Sequence, residues 1–408
     1  MKIYKRTLSN GMRVLIAPKE SLEAVSIVIG FNFGSMDAGR DHEGLAHYLE
    51  HMLFKGTERR NWSQINEITR KYNIYYNAET DFETTMYEAQ VHRRYVKNAM
   101  DLISDMVKRP KFSRKEFKHE LGTIVHEIAM RREDPNSLVY DNMPRALFEE
   151  RPSIIPESIS SLENNISLQN IRDAYETHYN PGNAVMVISG GITAETGTML
   201  AKDYLGDFER EFRSPKRDHL VLNKRTKGIM MKRKDIERGE VAIGFGCHGI
   251  NKSRLDEYVA MRAVANVLNN RLYDQIREIH GLSYDPSVEY NAYGTFSYLS
   301  ASAGGPPAKL DRIKRIMIDE FRNLKESRIS REELTTVKTG LAIKYYMDSD
   351  DSLDTATKIT DMELMYGDGR QYSKIPAMIR GLNEGKLERF IGNYIHTERY
   401  GMITLRKE

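Results

Sequence analysis

Gly44-Leu45-Ala46-His47-Tyr48-Leu49-Glu50-His51-Met52-Leu53-Phe54 reads as a single helix, and everything else in the chain is placed around it. Residues four apart on a helix share a face. His47 and His51 can therefore present two imidazoles to one ion, with Glu50 on nearly the same face. Neutral imidazole nitrogens suit zinc, and a catalytic zinc takes a third protein ligand while leaving a fourth position for water. The order H-x-x-E-H reverses H-E-x-x-H, and both are zinc-protease patterns. By itself the pentapeptide fits equally well a helix whose two histidines bond to neighbours.

Upstream, residues 2–7 and 12–17 alternate polar and apolar side chains around the turn Ser9-Asn10-Gly11, as paired strands do. Residues 24–33 are β-branched and apolar, which predicts a buried strand, and 34–43 form a polar loop. Downstream, 75–89 reads as paired strands and 94–108 as an amphipathic helix stopped by Pro110. Ser113 is placed to cap a helix running through Arg131. A strand at 184–189 and a helix from 194 follow. Residues 209–222 are charged, contain Pro215 and show little periodicity, the signature of a linker. Beyond it come a strand at 240–247, helix at 253–279, a strand at 298–303 and a helix at 307–324. The same alternation in both halves predicts an α+β protein with domains at 1–213 and 214–408.

Length agrees with that division, since 408 residues exceed what one hydrophobic core supports. Apolar residues make up 40% and charged residues 29%, and a net charge of +3 gives no reason to expect nucleic acid. The lone Cys247 excludes an internal disulfide. Residues 1–18 alternate instead of forming the apolar core of a signal peptide, and no run of about 18 apolar residues predicts a spanning helix. A cytoplasmic protein without membrane contact is the expectation.

Residues 44–57, Gly44 through Phe54 and on through Lys55-Gly56-Thr57, closely resemble the zinc helix of the pitrilysin family of inverted-motif metallopeptidases, which includes insulin-degrading enzyme and mitochondrial processing peptidase. The segment Glu120-Leu121-Gly122-Thr123-Ile124-Val125-His126-Glu127, followed by Asp134-Pro135, is similar to the family's later ligand helix. The resemblance implies zinc held by His47, His51 and Glu127, with Glu50 as general base. It also implies a supporting catalytic role for Glu120, two helical turns before Glu127 and so on the same face. The family commonly has two adjacent glutamates where this chain has His126-Glu127. Adjacent helical residues point about 100° apart, so Glu127 is taken as ligand, and His126, His119 and His92 as bystanders.

Asn77-Ala78-Glu79-Thr80 resembles the family's substrate-pairing edge strand, which implies that Asn77 and Ala78 contact the peptide near its scissile bond. The glycine pair usual upstream is replaced by Tyr72-Asn73-Ile74-Tyr75-Tyr76. The block from Arg271 to Tyr284 is similar to one whose arginine and tyrosine bind substrate and stabilise the oxyanion, here Arg277 and Tyr284. The implied fold is two related α+β domains, each a mostly antiparallel sheet with helices packed on one side. The implied activity is zinc endopeptidase cleavage of peptides or unfolded segments by metal-activated water, inside a chamber closed by two copies or by this chain and a related subunit. Two other readings stay open: a non-catalytic processing partner that binds peptides, and a metal-dependent hydrolase of non-peptide substrates.

Overall fold

A computed structural model describes residues 1–408 apart from Glu157 and Asp235. Six strands build a first sheet: β1 (Tyr4–Thr7), β2 (Arg13–Pro18), β3 (Ala24–Phe31), β4 (Tyr75–Thr80), β5 (Thr85–His92) and β6 (Ala184–Gly190). Their order is β1-β2-β6-β3-β5-β4, and every pairing except the parallel β2–β6 is antiparallel. Five more strands build a second sheet: β7 (Lys227–Arg233), β8 (Gly239–His248), β9 (Ser287–Ala292), β10 (Phe296–Gly305) and β11 (Gly401–Lys407). Its order is β7-β11-β8-β10-β9, again with a single parallel pair, β7–β11.

The two sheets are covered in the same way. In the first, a Cβ added at Gly197 of the helix Ala194–Leu205 would meet Ile16 at 2.9 Å, so that helix lies hard against β2. On β3, a Cβ at Gly30 would lie 2.5 Å from Thr360, because the helix Ser352–Tyr366 packs directly on that strand. Ser26, four residues earlier and so on the same strand face, hydrogen-bonds Ser352 at 2.8 Å. Buried Glu363 anchors this helix further. Its carboxylate accepts from Lys5 Nζ at 2.7 Å, Arg13 Nη1 at 3.2 Å and the Gly369 amide at 2.9 Å. In the second sheet, Phe245 of β8 meets Phe321 of the helix Leu310–Glu326 edge-on at 4.6 Å. Its neighbour Gly244, pointing the other way, would put a Cβ 2.5 Å from Met143 of the helix Pro135–Leu147.

Each sheet therefore takes one covering helix from the opposite half of the sequence. The chain divides into two units: 1–128, 154–216 and 346–374 make the first, and 129–153, 217–345 and 375–408 the second. One crossing, between 216 and 217, falls near the expected boundary at 213/214. The other crossings arise because 135–147 and 352–366 bury their apolar faces away from the half that encodes them. In each sheet the exchanged helix lies on the face opposite the helix that the sheet's own half supplies.

Local structure follows the sequence closely near the motif. The helix Leu45–Leu53 starts after Gly44, whose φ of 91° is left-handed. The helix Arg114–Glu133 opens with Ser113 Oγ accepting the Glu116 amide at 3.2 Å. Residues 209–221 carry neither helix nor strand. The region expected as one helix over 253–279 is α-helical at Leu255–Leu272 and then widens to a π-helix at Tyr273–Ile279. No helix among the described residues is long and apolar enough to cross a membrane.

Candidate functional site

The Leu45–Leu53 and Arg114–Glu133 helices are clamped together by Tyr48. Its ring is fully buried and stacks on Phe117 at 4.6 Å and 5°, and its hydroxyl donates to the Phe117 carbonyl. That contact brings the histidine face of one helix against the glutamate face of the other. His47 Nε2 lies 3.4 Å from Glu127 Oε1, His51 Nε2 lies 3.2 Å from Glu127 Oε2, and the two Nε2 atoms are 3.2 Å apart. An ion with tetrahedral bonds of about 2.0–2.1 Å separates its ligand atoms by roughly 3.3 Å. Among the described residues, His47, His51 and Glu127 form a group able to hold a metal ion. Two imidazoles and one carboxylate fit zinc by both spacing and chemistry.

Around this triangle the electrostatics are one-sided. Glu127 is held well below the usual carboxylate range, first by its hydrogen bond to His47 and then by that to His51. For His51, burial would lower the pKa, but hydrogen bonds to Glu120 and Glu127 outweigh it and raise it to about 9. A metal ion competes with that proton, because only the neutral ring is a ligand. His51 Nδ1 meets Glu120 Oε2 at 3.1 Å. A carboxylate on Nδ1 fixes which ring nitrogen carries the proton and leaves Nε2 for the metal. Glu120 is completely buried; burial would raise it, yet hydrogen bonds from His51 and Lys55 bring it to about 2.

Glu50 is 8% exposed, and burial raises its pKa above the ordinary carboxylate value. One carboxylate oxygen accepts a 2.6 Å hydrogen bond from Thr80 Oγ1 at the end of β4. Thr80 is a site residue to which the sequence motif by itself assigns no task. The signal was the strand period, since Tyr76, Ala78 and Thr80 share one face. Among the described residues β4 pairs only with β5, so its outer edge is open, and Asn77 and Ala78 lie in the middle of it. His126 is exposed on its helix, His119 reaches Glu120 Oε1 at 3.3 Å, and His92 caps the Arg94 amide.

Arg277 and Tyr284 belong to the second unit. The π-helix carries Arg277, whose guanidinium sits 4.8 Å from the Tyr273 ring and donates to the Tyr284 carbonyl at 3.1 Å. The Tyr284 side chain is 83% exposed.

Two mostly antiparallel α+β units and an inverted H-x-x-E-H helix facing a glutamate helix define the architecture of an inverted-motif metallopeptidase. Comparison with known proteins agrees. Residues 13–156 match the model described as Insulinase (Peptidase family M16), and 165–341 match the Peptidase M16 inactive domain. The chain belongs to this insulinase, or pitrilysin, family. It is 22% identical over 411 residues to the "uncharacterized zinc protease" YmxG of Bacillus subtilis, covering 99% of this chain and 98% of that one. It is 24% identical to an "uncharacterized zinc protease" of Mycobacterium tuberculosis, covering 98% and 92%. A protease from Helicobacter pylori shares its fold with a TM-score of 0.90 at 19% identity, over 99% of both chains. The M16-like peptidase of Alicyclobacillus acidocaldarius does so with a TM-score of 0.85 at 18% identity, over 100% of this chain and 98% of that one.

Proposed function

We propose that this chain is a zinc metalloendopeptidase that hydrolyses peptides or unfolded polypeptide segments. The observation that carries the reading is the convergence of two histidine Nε2 atoms, 3.2 Å apart, on the Glu127 carboxylate, whose oxygens lie 3.4 Å from His47 and 3.2 Å from His51. When bound there, zinc supplies a Lewis acid that polarises a carbonyl and brings the pKa of water to about 7. Glu50 takes a proton from the attacking water onto its carboxylate and returns it to the leaving amine nitrogen. Thr80 holds that carboxylate in place through its other oxygen, and Glu120 holds the His51 ring. The substrate adds to the open edge of β4 as a further strand, its backbone pairing near Asn77 and Ala78. Such pairing needs an extended main chain, which favours peptides over folded proteins and over small non-peptide substrates.

Arg277 and Tyr284 donate hydrogen bonds to the oxyanion. Arg277 is held in one pose by the Tyr273 ring and the Tyr284 carbonyl, and the Tyr284 hydroxyl reaches solvent, as such donors require. In a dimer, of two copies or of this chain with a related subunit, Arg277 and Tyr284 of one member serve the metal of the other. Full activity in a strictly monomeric form would overturn that part. A cytoplasmic setting fits the lone, buried Cys247.

The decisive experiment is cleavage of a panel of unstructured peptides, read by mass spectrometry, for wild type beside Glu50→Gln. Wild type is expected to cut, and the variant to bind zinc without cutting. Turnover by Glu50→Gln removes Glu50 as the base. A zinc-loaded wild type that cuts nothing turns the reading toward a peptide-binding processing partner.

A further inference from the structure

His47, His51 and Lys55 stand at i, i+4 and i+8, and the third residue of this series has no part in the chemistry described so far. The Lys55 side chain, 19% exposed, turns back along the helix so that Nζ reaches Glu120 Oε1 at 2.7 Å. Glu120 thus spans two partners, Lys55 on one oxygen and His51 Nδ1 on the other at 3.1 Å. The backbone that delivers Lys55 is pinned on both sides. The Lys55 amide donates to the Met52 carbonyl at 3.3 Å, and the next residue, Gly56, accepts the Lys111 amide at 2.9 Å. Gly56 has a φ of 131°, and a Cβ there would meet the Arg60 carbonyl at 3.1 Å. Thr57 closes the turn by donating to buried Asp105 at 2.7 Å.

We infer that Lys55 is a positioning residue for the metal centre: it holds Glu120 as a buried, correctly rotated carboxylate so that Glu120 in turn fixes the His51 ring. This rests on the reading of His47, His51 and Glu127 as metal ligands. A buried carboxylate is tolerated only when a cation and hydrogen bonds satisfy it. A metal-ligating histidine is neutral, so His51 cannot supply that cation while it holds a metal. The remaining neighbour, His119, is 73% exposed on its side chain and lies 3.3 Å away. The ammonium of Lys55 is the permanent positive charge on this carboxylate. Without it, Oε1 of the buried Glu120 keeps only the exposed His119 ring at 3.3 Å, and the carboxylate is held less firmly in the rotamer that meets His51. Partners of this kind typically change metal affinity 10- to 100-fold.

The test is zinc affinity, measured by competition with a chromophoric chelator, for wild type, Lys55→Met, Lys55→Gln and Lys55→Arg, with the visible spectrum of each cobalt-substituted protein. Urea unfolding of the metal-free proteins accompanies it. Lys55→Met and Lys55→Gln are expected to bind zinc about 10- to 100-fold more weakly and to show altered cobalt bands, and Lys55→Arg to recover most of the affinity. Wild-type affinity and an unchanged cobalt spectrum in both Lys55→Met and Lys55→Gln would overturn the inference, as would a loss confined to metal-free stability. A wild type that takes up no zinc would instead overturn the metal-site reading, and this inference with it.

Discussion

Thr80 Oγ1 donates a 2.6 Å hydrogen bond to Glu50 from the last residue of the sheet's open edge strand. The proposed base and the proposed substrate rail are therefore tied by one contact. A hydrogen bond to a charged group contributes about 1.5–3 kcal/mol. Thr80→Val is expected to lower kcat about 10- to 100-fold with a much smaller change in KM, and Thr80→Ser to restore most of it. Steady-state kinetics on one cleaved peptide decides this; a Thr80→Val change confined to KM would separate Thr80 from the base.

Metal removal reaches beyond activity. The triangle joins two helices, so an ion bound there stabilises the folded chain by mass action, about 2.7 kcal/mol at 100 times Kd. Chelation is expected to abolish peptide cleavage and lower the melting temperature, and zinc to restore both. His51→Ala should melt at the same temperature with and without chelator. An equal chelator effect in that variant would place the stabilising ion elsewhere.

Gly30 and Gly244 occupy matching positions, each where an exchanged helix meets a sheet. A larger side chain must push against Thr360 in one case and Met143 in the other. Overpacking of this kind costs roughly 1–3 kcal/mol. Gly30→Val and Gly244→Val are each expected to lower the unfolding free energy by that amount, read as a lower urea midpoint at unchanged slope. Wild-type midpoints would show that the exchanged helices pack more loosely than described.

Glu240 on β8 gives a pH prediction away from the metal. Burial raises its pKa to about 7; Arg238 opposes the shift, and Asp285 and Asp134 add to it. The unfolded value is lower, so the folded state binds the proton more tightly. The stability this provides is present below about pH 4.5 and is lost as pH rises through about 7. Glu240→Gln is expected to be more stable than wild type at pH 8, by on the order of 1–3 kcal/mol, with the gain vanishing near pH 4.5. A gain independent of pH would point to packing instead.

The residues legible in the sequence were those whose spacing is local. The i, i+4 histidines and Glu50 follow from helical periodicity, and β3 from its run of β-branched residues. Glu127 and Glu120 were reached through family resemblance, because nothing local says which later helix will face the first. Thr80 and Lys55 lie within the motif segments, yet their partners are distant side chains that periodicity cannot reveal. The helix Pro135–Leu147 had a readable start, with Asp134 capping the Ser137 amide at 2.7 Å and Pro135 at the first turn. What the sequence did not disclose was which sheet that helix covers. Strand β7 lacks apolar alternation and pairs with β11, far along the chain.

The helix Ser352–Tyr366 completes the unit that bears His47, His51 and Glu127, although it lies far beyond the last strand of that unit's sheet, Ala184–Gly190. During synthesis the apolar face of β3 that contains Gly30 therefore stays uncovered until the chain has been made as far as residue 366. A chain shorter than that leaves this apolar sheet face open to other chains, the kind of surface on which unfinished polypeptides aggregate.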